Sequence, residues 1–438
     1  MGSSPEPGAS PASGPAPVSP SYARYALGLL VMVYVFNMVD RNILFVLLEA
    51  IKEDLGATDT QLGLLVGPVF AVFYTVAGLP IARLADRGSR RTVISVGLAV
   101  WSLMTALSGL ARSYLQLLLA RIGVGVGEAS CSPAAHSLIS DFFPPERRGR
   151  AFAIYAIGAP LGAVAGSLVG GWVAEFFGWR RALMVVGLPG VFFAVFVWLT
   201  LREPARGVFE QAPPSDVSLG NALRFMSRLP ALRHVLLGGA VHSFASVGVG
   251  AWHPAFLMRA HEMGAGEAGS WVAGLAVASA LGTFGGGWVG DRLSVRDPRW
   301  YLWSTGWATL AAVPFYLGFY LSPGLYGALA MAVPATIFAA FFTGPIIAMT
   351  QALVRPNMRA LASAVMLFMT NIIGYGLGPF AVGALSDALT PSLGPAAIRY
   401  AMLVVVAANL WAAVHFMLGA RTLRRDLLAK DEPQAGVA

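Results

Sequence analysis

The chain has 438 residues, of which 56% are hydrophobic and only 12% charged, with a formal net charge of +8. Soluble domains carry roughly 25% charged residues, so this chain has too little polar surface to cover a water-facing globule, and its class is polytopic membrane protein. A single cysteine, Cys131, excludes an intramolecular disulfide framework, and there is no zinc-type Cys/His cluster.

Residues 1–22 are rich in Pro, Ser, Gly and Ala without periodicity and read as a disordered N-terminal tail, with no removable signal peptide. A helix needs about 20 apolar residues to cross a bilayer. On that measure spans are predicted near 25–49, 61–82, 92–111, 114–142, 150–175, 181–201, 232–258, 269–290, 300–321, 325–353, 360–386 and 396–419. The longest connection follows the sixth span. It divides the chain into a six-helix bundle over 23–201, a linker over 202–230, a second six-helix bundle over 231–420 and a tail over 421–438. The fold class expected is therefore an all-α membrane protein of twelve transmembrane helices in two pseudo-symmetric bundles.

Most of the 30 basic residues fall in loops and ends on one side. Lys52, Arg112, Arg180, Arg181, Arg259 and Arg399 fall on the other, while Arg41 and Arg121 lie within spans. Positive charge is retained in the cytoplasm, so both termini are expected there, in a multi-pass protein of the plasma (inner) membrane. Dispersed arginines of this kind imply a bilayer partner and no nucleic acid. The halves also resemble each other. LADRGSRR (84–91) follows span two and VGDRLSVR (289–296) follows span eight, and RGRAFA at Arg148 and MRALASA at Met358 each open a Gly-rich helix. Duplicated halves of this kind commonly bind substrate between them at mid-membrane.

Ionisable groups inside spans are functional candidates, because inserting them costs several kcal/mol unless they are paired or wetted. Span one contains NMVDRN, with Asp40 and Arg41; span four contains ARIGVGVGEAS, with Arg121 and Glu128. At 1.5 Å per residue, Asp40 lies about 24 Å along span one and Glu128 about 21 Å from the outer end of span four, so both reach the membrane middle. Arg121 and Glu128, two turns apart, share a face, whereas Asp40 and Arg41 diverge by roughly 100°. Asp40 and Glu128 are the expected protonation sites. Arg41 and Arg121 are their switching partners or anchors for an anionic headgroup. The plainer alternative is a static cluster that fixes how spans one and four pack.

Tyr34, Tyr74, Ser130, Tyr155, Trp252, Thr370, Asn371 and Tyr375 are candidate cavity-lining residues, although any one aromatic is more often packing. His136, His242 and His253 are possible relays or locally hydrogen-bonded side chains. Gly158, Gly162, Gly166 and Gly170 form a small-residue stripe for close helix contact. The GVGVGE run is no nucleotide loop, since it lies mid-helix without a following Lys-Ser/Thr. No catalytic constellation is present, so the chain is not expected to be an enzyme, and no cofactor or metal is expected.

With these residues in view, the chain resembles the major facilitator superfamily. Asp86, Arg87, Arg90 and Arg91 match its loop signature after span two, with Ala82 and Ser89 replacing the usual glycines. Arg121, Gly125, Gly127 and Ala129 match its span-four motif, where Glu128 replaces a small residue. The combination of NMVDRN, GVGEAS and ADRGSRR is similar to the Spinster branch. That resemblance implies an exporter of amphipathic lipids, such as sphingosine-1-phosphate or lysophospholipids; with the mid-span charges, the expectation is a proton-coupled, alternating-access transporter that works as a monomer. It also implies a cytoplasmic latch. Asp86 would cap the start of span eleven at Met358–Ala360, and the loop arginines would reach Asp141, with Glu146, Arg147 and Arg148 joining. The runner-up is a proton-coupled exporter of drugs or small organic anions; a receptor on a transporter fold is the reading from another class.

Overall fold

In an apolar solvent every backbone N–H and C=O must be satisfied within its own segment, so long apolar runs fold as helices. The computed structural model describes residues 18–207, 209 and 219–429. Among these residues the helices group into twelve crossing segments. The first is Pro20–Leu55, followed by Asp59–Arg87, Arg90–Ser108, the pair Tyr114–Glu128 and Cys131–Phe142, Pro145–Phe177 and Trp179–Thr200. The second half runs Pro230–His261, Ala265–Ser294, Trp300–Leu321, Leu325–Ala352, a broken segment from Pro356 to Leu393, and Ala397–Ala429. Nine continuous stretches among the described residues are long and apolar enough to cross a membrane, the last holding two crossings. Expected spans 114–142 and 300–321 fall outside that set: the first is split and polar, the second rich in Trp and Tyr.

Element ends depart from the sequence reading at three places. Of the expected tail 1–22, residues 1–17 lie outside the described residues. Pro20 already begins a helix, because Ser19 Oγ accepts Tyr22 N at 3.3 Å. Residues 208 and 210–218 of the expected linker 202–230 also lie outside. Leu219–Ser227 forms a short helix, since Ala222, Phe225 and Met226 make one apolar face that is buried against the second half. Of the expected tail 421–438, residues 421–429 continue the last helix, where Leu423 is buried and Asp426 accepts Ala231 N at 2.8 Å. Residues 430–438 lie outside the described residues.

Several spans are interrupted, and proline explains where. Pro68, Pro133, Pro160, Pro345 and Pro379 each lack an N–H, which frees the carbonyl four residues earlier and breaks or loosens the helix there. Span four breaks directly after Glu128, and span eleven carries a π-helical turn over Thr370–Leu377. Both irregularities sit at mid-segment, where substrate sites of such folds lie.

The glycine stripe of span five is the packing surface for span one. A Cβ on Gly162 would stand 2.5 Å from Met38 Cβ and 2.6 Å from the Val35 carbonyl, and Gly158, Gly166 and Gly170 meet Tyr34, Val39 and Ile43 in the same way. Gly162→Val is therefore expected to destabilise the first half by roughly 1–3 kcal/mol through overpacking. Thermal unfolding in detergent checks this; an unchanged midpoint would show that spans one and five are not in this contact.

Spans one with seven, two with eleven and five with eight join the halves. With an even number of crossings, both ends of the described chain emerge on one face, called here the chain-end face; the opposite one is the far face. Among the described residues, every hydrogen bond between the two halves, from Arg259 with Glu49 to Trp172 with Ser270, lies toward the far face. The molecule is thus shut at the far face and open at the chain-end face.

Candidate functional site

At mid-membrane, Arg41 Nε donates to Glu128 Oε2 at 2.7 Å, joining span one to the break in span four. Glu128 is fully buried, while Arg41 keeps 14% of its side chain accessible. The guanidinium lies over two rings of span two, 4.5 Å from Phe70 and 5.0 Å from Tyr74. Those cation–π contacts place the charge without neutralising it.

The other two charges do not pair. Asp40, 2% exposed, points away from Arg41 toward Thr105 and has Glu128 and Arg121 as its charged neighbours. Arg121, 3% exposed, lies 5.9 Å from the Phe70 ring. Among the described residues neither forms an ion pair within 4.0 Å. Asn37 lies against Glu128, and Arg121 Nε is buried without a hydrogen-bond partner among the described residues. Four charges therefore share the centre with one ion pair made among them, which is the physical condition for re-pairing when a helix moves.

The expected cavity residues divide into two groups. Tyr34 stacks on Tyr155 with ring centroids 4.7 Å apart, and Tyr74 lies beneath Arg41. Thr370, Asn371 and Tyr375 are half-buried on the π-helical turn of span eleven. Trp252 and Ser130 do not line a cavity. Trp252 is fully buried and donates Nε1–H to the Pro379 carbonyl at 2.9 Å, because span eleven passes against it. Ser130 donates to the Gly127 carbonyl at 2.8 Å and fills the space left by Gly97. His242 and His253 are held locally, by the Ala339 carbonyl at 2.8 Å and the Tyr320 hydroxyl at 2.9 Å. His136 lies edge-on to Tyr155 at 5.5 Å.

At the chain-end face the expected latch is only partly assembled. Arg90 is buried in an ion pair with Asp141, and also bonds Glu203 at 2.7 Å, a partner that the sequence reading missed. Arg148 Nε donates to the Ser140 and Phe143 carbonyls at 3.1 Å, closing the end of span four. Arg91 lies against Trp198 at 5.8 Å. The side chains of Asp86, Arg87, Glu146 and Arg147 are exposed and make no bond among the described residues. The α-helical part of span eleven begins at Arg359 without a side-chain cap. The latch is thus closed within the first half and open between the halves. In the second half, Arg299 and then Arg424 hold Asp297 down at about 2, so that loop acid stays ionised at any working pH.

The far face carries the cluster that sequence reasoning missed. Arg259 spans both oxygens of Glu49 and both of Asp59, at 2.6 and 2.7 Å to Asp59. Asp59 also takes Lys52 at 2.7 Å and Ser386 at 2.6 Å. The signal available was an arginine at the end of span seven and acids at the junction of spans one and two; nothing in their spacing pairs them.

Two bundles joined at the far face, the first carrying a charge cluster at mid-membrane, have the architecture of a secondary transporter. The sequence profile of the Major Facilitator Superfamily matches residues 30–264, and the chain belongs to that superfamily. Within it the chain is a multi-pass membrane transporter of the Spinster type. It is 38% identical over 418 residues to an MFS-type efflux pump of Mycolicibacterium smegmatis, covering 93% of this chain and 95% of that protein. Protein spinster homolog 1 of Homo sapiens is 28% identical over 409 residues, covering 86% of this chain and 76% of the relative. A crystal structure of a bacterial homologue of the human lysosomal transporter Spinster, inward-facing and unoccupied, superposes with a TM-score of 0.87 at 32% identity. That match covers 93% of this chain and 99% of the other.

Proposed function

We propose that this protein is a proton-coupled exporter of amphipathic lipids bearing an anionic headgroup, such as sphingosine-1-phosphate or lysophospholipids. The observation that carries the coupling is the half-paired centre, with Arg41 on Glu128 beside an unpaired Asp40 and Arg121. An ionised carboxylate held deep in the membrane is costly unless a cation lies against it. When Arg41 leaves Glu128 for a substrate phosphate, a proton is the partner that lets the acid stay buried. Asp40 takes or gives a proton as spans one and four change contact, with Arg121 as its alternative ion. The tyrosines Tyr34, Tyr74 and Tyr375, with Thr370 and Asn371, surround the headgroup, and Tyr155, buried in the core, backs Tyr34.

The distribution of arginines supports a cytoplasmic chain-end face in the plasma membrane, so the structure corresponds to the inward-open state. Closure of that face would bring Asp86 onto the start of span eleven. The protein works as a monomer, because each chain carries both bundles and the whole seam.

The test is flux of sphingosine-1-phosphate and of a lysophospholipid in proteoliposomes, with and without a pH gradient, for wild type and Asp40→Asn. Gradient-dependent flux that falls at least tenfold in the variant is expected. Flux that ignores pH and survives the substitution would leave a facilitator with a structural charge cluster. The M. smegmatis relative is named an efflux pump with no cargo in the name, and export of drugs or small organic anions is the second reading. Competition by lysolipids separates the two.

A further inference from the structure

The seam between spans two and eleven is zipped from the far face to mid-membrane. A Cβ on Gly383 would stand 2.2 Å from the Asp59 carbonyl, one on Gly63 2.7 Å from that of Pro379, and one on Gly67 2.4 Å from that of Gly376. Nothing but glycine allows these backbones to approach so closely, and the contact brings Asp387 of span eleven to the first turn of span two. Its carboxylate accepts Asp59 N at 3.1 Å and Thr60 N at 2.7 Å.

The start of span two already has a cap of its own. Thr58 Oγ1 accepts Gln61 N at 3.1 Å, and Gln61 Oε1 accepts Thr58 N at 2.9 Å, a reciprocal capping box. That box leaves over the N–H groups of the next two residues, and a helix start always has such unsatisfied donors with a positive dipole end. Asp387 takes that remaining pair from the other half of the molecule. Its bonds are therefore not needed to form the helix; they tie one bundle to the other.

At the opposite end of the same two spans, the complementary groups are both free of such a bond: the Asp86 carboxylate on span two, and the start of span eleven at Arg359. We infer that Asp387 is the gate-positioning residue of the transport cycle, the far-face counterpart of Asp86, each carboxylate capping the first turn of the other's helix in the state where its own face is shut. Rigid helices zipped at one end splay at the other, so the two caps alternate. This rests on the alternating-access reading above, not on its substrate or its coupling ion. Each released helix start is hydrated at the open face, so the cap biases the equilibrium by a limited amount and leaves it reversible.

The test uses the full-length protein in nanodiscs with Cys131→Ser and one reporter, Ala57→Cys, which is 5% exposed beneath the far-face seam. The rate of labelling by a polar maleimide is read, which requires neither lipid substrate nor protons, so failure here is separate from failure of the lipid or proton assignment. Asp387→Asn, which loses the charge and one of the two acceptor oxygens at the helix start, is expected to speed labelling about five- to tenfold. Asp387→Glu restores the slow rate, and adding Asp86→Asn to Asp387→Asn brings it back toward wild type by weakening the opposite state. A merely loosened fold would be worsened by that second change. An unaltered rate in Asp387→Asn, or a fast rate that persists in the double variant, overturns the inference.

Discussion

Glu128→Gln is expected to cut gradient-driven transport about thirtyfold while leaving substrate exchange at equal pH largely intact. Glutamine matches glutamate in size but neither carries charge nor exchanges a proton. It would leave Arg41 without the only ion-pair partner it has among the described residues. The guanidinium would still be held over Phe70 and Tyr74 at 4.5 and 5.0 Å, so it should stay in place and continue to face a headgroup. What disappears is the competition between proton and arginine for one carboxylate. Breaking a fully buried pair costs about 3–5 kcal/mol; since Arg41 is 14% accessible and wetted from the open face, the lower end or less applies here. A loss of roughly 2 kcal/mol in the coupled step corresponds to about thirtyfold in flux. Reconstituted flux with an imposed pH gradient, compared with counterflow at symmetric pH, measures both. Gradient-driven flux in Glu128→Gln equal to wild type would remove Glu128 from the coupling machinery.

Arg259→Gln is expected to open the far face. One guanidinium holds Glu49 of span one and Asp59 of span two to span seven, through a planar fork that suits two carboxylates. Without it, two acids face each other with Lys52, bonded to Asp59 at 2.7 Å, as the remaining cation. Two carboxylates that shared one guanidinium repel once it is gone, and the side chains of Arg259 and Glu49 are only 15% accessible, so water compensates poorly. A shift on the order of 2–3 kcal/mol moves a two-state equilibrium by about thirty- to a hundredfold. Hydrogen exchange over residues 56–62 and 262–268 should quicken, and exchange at the start of span eleven should slow. Arg259→Lys should fall between, since an ammonium is a point charge and serves one acid well. Identical exchange in wild type and Arg259→Gln would show that the glycine seam alone keeps this face shut.

The site was legible in parts, for reasons that particular residues make plain. Asp40, Arg41, Arg121 and Glu128 stand out because charge in a span is costly and visible in any reading of hydropathy. Trp252 and Ser130 were misplaced because a helical position gives the direction of a side chain, not what another helix puts there; Pro379 and Gly97 decide those contacts. Glu203 escaped notice because it lies past the end of span six, where nothing in the sequence folds the chain back onto Arg90. Asp59 and Asp387, 328 residues apart, read singly as ordinary loop-side acids.

By itself the sequence determined the membrane class, the twelve-span layout, the duplicated halves, the glycine stripe of span five and the four mid-span charges. Each follows from local arithmetic, because insertion cost, helical period and chain length depend on residues within a few turns of one another. Only the tertiary structure decided that Arg41 takes Glu128 while Arg121, on the same helix as that acid, does not. It also decided that Arg259, 210 and 200 residues from Glu49 and Asp59, closes the far face. Spacing fixes the face of a helix on which a charge lies; which partner it meets depends on ångström-scale helix approach, and alternative pairings differ by only a few kcal/mol.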